Sequence, residues 1–275
     1  MRPRSLSAAE ARVVLTLEEH EQQEVSLDEI ERFAKVHRGY ARKLAHGLVA
    51  KGWFHRLGRG RYLLNPSDYG ASAGPESDPL RVGARLVHPY YFGYATAAEL
   101  HGFLLQPGRT YYIVTPTRTA VHVSGPGRYR IVRRATRSFF GGTALHRRGE
   151  RLLVSDPERT VLDCLDRPAL AGGTAGAVQV FARAKPALDW RRLSSYLERL
   201  GHRSLALRVG FLAEEVRPSS PAPRWWTSRF AARSAEPWVP LGPPRLYGRT
   251  GRRAPRWHIL VNVPARELLV EGVPP

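Results

Sequence analysis

Ser26 to Leu64 reads SLDEIERFAKVHRGYARKLAHGLVAKGWFHRLGRGRYLL, and this stretch sets the plan of the chain. Ser26 followed by Glu29 is a capping box, so a helix starts there. Leu27, Ile30 and Phe33 give that helix one apolar stripe, which stops near Lys35 and His37. A second helix is predicted over roughly Arg38 to Lys51, with Ala41, Leu44, Ala45 and Leu48 as its inner face. Gly52 stands where a helix C-terminus favours glycine. Trp53 to Leu57 and Arg61 to Leu64 read as short strands joined by Gly58-Arg59-Gly60. Helix, turn, helix and hairpin in this order are the plan of a winged helix-turn-helix.

In that plan the second helix is the recognition helix, its N-terminal half facing the major groove. Arg38, Tyr40, Arg42, Lys43 and His46 are its candidate DNA contacts. The hairpin is the wing, with Arg56, Arg59 and Arg61 set to meet phosphates or a minor groove. Charge segregation points the same way. Residues 1–31 hold all eight acids of the first 66, whereas residues 32–61 hold nine Lys and Arg and no acid. A solvated face usually mixes signs. A merely basic surface is the bland alternative, but the charge falls on the two elements that DNA binding requires.

The whole chain has 275 residues and a formal net charge of +19, which favours phosphate-rich partners and salt-dependent binding. Its hydrophobic fraction of 43% is adequate for packed cores. Arg far outnumbers Lys, a composition bias that explains the choice of Arg but not the excess over acid. Cys164 is the only cysteine, which rules out an internal disulfide and any multi-cysteine zinc site. It falls in an amphipathic helix and reads as a buried thiol. No stretch is long and apolar enough to span a bilayer, and residues 1–12 lack a signal core. A soluble, cytoplasmic protein without membrane contact is expected.

Ser7 and Glu10 form another capping box, opening a first helix that runs to about Glu21. The expected division is a winged helix-turn-helix DNA-binding domain at 1–66, a linker at 67–78 and a larger mixed domain at 79–275. The wider stretch Asn65 to Asp78, rich in Gly, Ser, Pro and Asp, reads as linker or exposed loop. The fold class is α+β. In the second domain Tyr111 to Thr115 reads as a buried strand and Arg128 to Arg133 as an alternating one. Thr143 to His146 and Arg151 to Val154 are further strands, and helices dominate from Asp156 to Val216. The Pro- and Arg-rich tail holds one convincing strand, Trp257 to Val263.

Leu153 to Pro168 reads LVSDPERTVLDCLDRP, with Ala171-Gly172-Gly173 after it. Ser155 or Asp156 caps a helix whose first turn holds Pro157, and Val161, Leu162 and Leu165 form its inner stripe. This stretch resembles the C-terminal-domain signature of the AbiEi antitoxin family. Leu188 to Leu200 and Arg203 to Glu214 resemble that family's paired helices, including the run LRVGFL at Leu207 to Leu212. Trp257 to Pro264 resembles its last strand. The resemblance implies a winged DNA-binding domain, repression of a shared operon through double-stranded operator DNA, and an antitoxin role. It also implies a nucleotidyltransferase-like toxin as functional partner. It carries no catalytic residue.

An enzyme is the competing class, and a regulator without a toxin partner is the nearer alternative. Asp156, Glu158, Asp163 and Asp166 are the dense acids of the second domain. Asp156 and Asp163 lie about two helical turns apart and Glu158 points elsewhere, so no metal-binding face forms. Glu158 and Arg159 read as structural, tying their helix to the sheet. The histidines lack metal-ligand spacing, and neither Gly141-Gly142 nor Gly172-Gly173 leads into a phosphate-binding Gly-Lys-Ser/Thr. No catalytic residue, cofactor or metal is expected. Arg128 to Arg151 and Arg217 to Pro275 are Arg-rich; a further DNA surface is the favoured reading, with an acidic or RNA partner and a plain solvated surface as the alternatives.

Overall fold

The computed structural model describes residues 4–70, 78–106, 108–118, 126–147, 150–216, 222–233 and 236–269. The chain is α+β. Its first half runs α1 (Ala8–Glu19), β1 (Glu24–Ser26), α2 (Leu27–Ala34), α3 (Arg38–Ala50), β2 (Phe54–Gly58), β3 (Arg61–Leu64), α4 (Pro79–Gly83), β4 (Tyr91–Phe92), α5 (Tyr94–Leu100), β5 (Thr110–Thr115) and β6 (Arg128–Arg133). The second half runs β7 (Gly142–Arg147), β8 (Glu150–Ser155), α6 (Pro157–Asp166), α7 (Gly173–Ala184), α8 (Trp190–Leu200), α9 (Arg203–Glu215), α10 (Arg224–Phe230), β9 (Val239–Pro240), α11 (Pro244–Tyr247), β10 (Arg252–Ala254) and β11 (Ile259–Val261).

Two compact units result. One gathers Met1–Tyr90, Arg109–Arg133 and Arg148–Leu152; the other gathers Tyr91–Gly108, Arg134–Arg147 and Leu153–Pro275. The division does not follow the chain at residues 67–78, because later segments return to the first unit. Tyr129 of β6 donates its hydroxyl to the Pro79 carbonyl at 2.9 Å. Arg81 of α4 donates to the Leu64 carbonyl at 3.0 Å and to Glu150 at 2.9 Å. Asn65 is not linker either: it is fully buried and donates to the Gly52 carbonyl at 3.0 Å. Residues 71–77, read as linker, lie outside the described residues.

The first unit begins as a winged helix. Both capping boxes form, at Ser7/Glu10 for α1 and at Ser26/Glu29 for α2. Such a cap is worth about 1 kcal/mol. α2 ends on Lys35 in the left-handed region, and α3 starts three residues later. Val13, Val14 and Leu17 of α1 meet Ile30 of α2, Leu44 and Leu48 of α3, and Trp53 and Phe54 in one core. Phe33, counted in the expected stripe, is only partly buried at its margin. The wing sheet has the order β1-β3-β2, antiparallel throughout. Gly60 closes the hairpin at φ +69°, a conformation glycine adopts without strain, and its carbonyl accepts from the Leu27 N–H at 2.9 Å. The wing tip is thereby fixed to the start of α2. β5 and β6 add a parallel pair to the same unit, in register from Thr110↔Arg128 to Thr115↔Arg133.

The second unit is built on α6 to α9, whose apolar faces share one core. Phe181, Leu162, Leu193 and Val209 are fully buried in it. Asp156 caps α6 by accepting from the Arg159 N–H at 2.8 Å. The glycine of LRVGFL has a packing reason: a Cβ at Gly210 would stand 2.1 Å from the Trp257 ring. The tail differs from its sequence reading. It forms a small sheet of order β10-β11-β9, with α10 and α11 beside these strands in the chain. The expected strand from Trp257 shortens to Ile259–Val261, because Pro255–Trp257 makes a 3-10 turn and His258 takes φ +45°.

Candidate nucleic-acid interface

α3 presents two faces of different chemistry. Ala41, Leu44, Ala45 and Leu48 are buried, while Tyr40, Arg42, Lys43 and His46 are exposed. This is the 3.6-residue pattern turned into a one-sided helix. Tyr40 is 42% exposed and lies tilted against His37, with ring centroids 6.4 Å apart. Arg42, Lys43 and His46 have no hydrogen-bond or ion-pair partner among the described residues.

Arg38, another of the expected contacts, is engaged within the protein. Its guanidinium pairs with Asp28 and, at 3.1 Å, with Glu31. Those acids lie on α2, so the arginine ties α2 to α3 rather than projecting freely. The two carboxylates raise its pKa further, chiefly through the Asp28 hydrogen bond. Arg38 and Asp28 are both solvent-exposed, which makes that pair weak and exchangeable for a phosphate.

The wing arginines also divide. Arg59 is exposed and without a partner among the described residues. Arg56 is exposed and folds back to donate from Nε to the Gly58 carbonyl at 3.3 Å. Arg61 is engaged beside the wing turn, donating to Glu24 at 2.8 Å and to the Arg85 carbonyl at 2.8 Å. β1 is the reason: register Ser26↔Arg61 lays the acidic strand beside the arginine. The side chains that combine exposure with freedom from carboxylates are therefore Tyr40, Arg42, Lys43, His46, Arg56 and Arg59.

The acids of the second unit are engaged one by one. Asp156 accepts from the Tyr196 hydroxyl at 2.6 Å besides capping α6. Glu158, 2% exposed, accepts from the Asp189 N–H at 2.7 Å and pairs with Arg192 at 3.5 Å. It thus ties α6 to the start of α8, not to a sheet. Asp163 receives Arg134 and Arg159, each at 3.1 Å, and Asp166 receives Arg134 at 2.8 Å. Arg159 is fully buried and its guanidinium lies 4.5 Å from the Phe140 ring. No group of three or more His, Cys, Asp or Glu placed to hold a metal occurs among the described residues. Cys164 is buried and its thiol pKa is pushed up by desolvation, so it is not an activated nucleophile. No helix among the described residues is long and apolar enough to cross a membrane.

No family model matches the chain, and no curated protein matches it. Its fold is similar to that of the RV2827C protein from Mycobacterium tuberculosis, with a TM-score of 0.65, 18% identity, and coverage of 94% of this chain and 92% of that one. At this identity the similarity is one of fold.

Proposed function

We propose that this chain is a transcriptional repressor that binds duplex DNA through α3 and the wing, in the cytoplasm, and has no catalytic activity of its own. One observation carries the reading. The exposed face of α3 holds Arg42, Lys43 and His46 free of partners, on a helix whose other face is buried. A major groove admits one helix, and such a face brings side chains to base edges. Arg56 and Arg59 stand exposed at the adjoining wing, placed for backbone phosphates.

We further propose that it acts as the antitoxin of a two-gene system with a nucleotidyltransferase-like toxin. Support comes from the sequence resemblance of Leu153 to Gly173 and Leu207 to Leu212 to AbiEi antitoxins. Two assays test the two parts. Mobility shifts with the DNA upstream of its own gene should show a discrete complex that survives competitor DNA. Co-expression with the product of the adjacent gene should restore growth that this product alone arrests. No discrete complex refutes the repressor; unchanged growth arrest refutes the antitoxin and leaves the repressor standing.

A further inference from the structure

Residues 109–133 contain Arg109, Arg118, Arg128, Arg130 and Arg133 and no acid. All five are exposed, and none has a carboxylate partner among the described residues. Neighbouring arginines of the same unit behave otherwise: Arg81 and Arg85 pair with Glu150, and Arg61 with Glu24. Two groups of cations without acid partners among the described residues stand out in this unit. One is α3 with the wing; the other is the β5–β6 pair and its flanks.

The geometry of the second group is regular. Arg128 and Arg130 are two residues apart on one strand, so they point to the same face at a spacing of about 6.7 Å. Tyr112 of β5 stands opposite Arg130 in the parallel register. Among the described residues β6 has a strand partner on one side only. Five unneutralised like charges raise the free energy of the folded unit through mutual repulsion. A regularly spaced polyanion relieves that repulsion and releases its own counterions.

We propose that Arg128 and Arg130 of β6 form a second phosphate-contact strip for the duplex that α3 and the wing engage. This rests on the DNA-binding reading above. An acidic peptide would satisfy the same charge. Duplex DNA is favoured because the same compact unit carries Arg42, Lys43 and Arg59 free of partners among the described residues, and a duplex, unlike a short acidic peptide, is extended enough to serve two separate groups.

The test uses the full chain, a labelled random-sequence duplex, and anisotropy titrations across salt concentrations. R128Q/R130Q should lower the slope of log affinity against log salt by about 1.8, two contacts at about 0.9 each. Between 50 and 200 mM salt the wild type should then lose roughly twelvefold more affinity than the variant. R128K/R130K, which keeps the charge, should retain the wild-type slope, and thermal unfolding should show all three proteins folded alike. An unchanged slope in R128Q/R130Q overturns the strip while leaving the winged interface intact. A wild type that fails to bind any duplex overturns both. Loss of polyglutamate binding in R128Q/R130Q, with its DNA slope unchanged, reassigns the strip to an acidic protein partner.

Discussion

Arg81 and Glu150, 69 residues apart in the chain, meet at 2.9 Å with Arg81 only 5% exposed. The same arginine donates to the Leu64 carbonyl at the end of the wing. Arg85 adds a second bond to Glu150 at 2.7 Å. Arg81 and Glu150 together thus link α4, the end of the winged helix and the start of β8.

Removing the Glu150 carboxylate takes an anionic hydrogen-bond partner from a guanidinium that is only 5% exposed. Glu150→Ala should therefore destabilise the first unit by about 3 kcal/mol, the usual penalty for breaking a buried pair on one side. Urea unfolding checks this through the transition midpoint; a midpoint equal to that of wild type contradicts it.

The same pair gives the unit an acid limb. Burial pushes the Glu150 pKa up, but the hydrogen bonds from Arg85 and Arg81 outweigh it, so the carboxyl sits below the ordinary range. A lowered folded value means the stabilisation is present above the unfolded value, about pH 4.3, and is lost as pH falls through the folded one. Glu150→Gln should flatten this acid loss in melts taken between about pH 3 and 6. Parallel wild-type and variant curves over that window would show that Glu150 does not titrate as described.

Gly210 has no room for a side chain against Trp257. Gly210→Ala should cost about 1–3 kcal/mol by overpacking, against the small gain that alanine normally brings to a helix. Calorimetry of the second unit's transition measures it, and a raised melting temperature is the contrary result.

The winged helix was legible because its signals are local: two capping boxes, a clean apolar stripe in α3, and Gly60 at the turn. β1 was not legible, since Glu24-Val25-Ser26 is too short to show alternation. That omission carries over to the site, because β1 is what brings Glu24 to Arg61. The pairing of Arg38 was hidden for a related reason: its partners Asp28 and Glu31 lie on another helix, and ion pairs across a turn leave no spacing signal. The tail sheet escaped detection because Pro and Gly interrupt strands of two or three residues. The Arg81–Glu150 pair joins distant segments, so only the folded chain reveals it.

If the wing binds DNA as proposed, Glu24 competes with it for Arg61 beside the wing turn. Glu24→Gln should raise duplex affinity by roughly two- to fivefold, the range of a single exposed ion pair. Titration at low salt is the measurement, and a weaker complex would mean that Arg61 is needed where it now stands.

The central claim is that the exposed face of α3 reads duplex DNA. Its most direct measurement compares wild type with R42A/K43A in binding-site selection from a random duplex pool, alongside affinity for the selected site. The wild type should enrich a defined sequence, and the variant should lose that preference while keeping salt-dependent, sequence-independent binding through its remaining cations. Enrichment of the same sequence at the same affinity by both proteins would contradict the assignment of α3 as the reading helix.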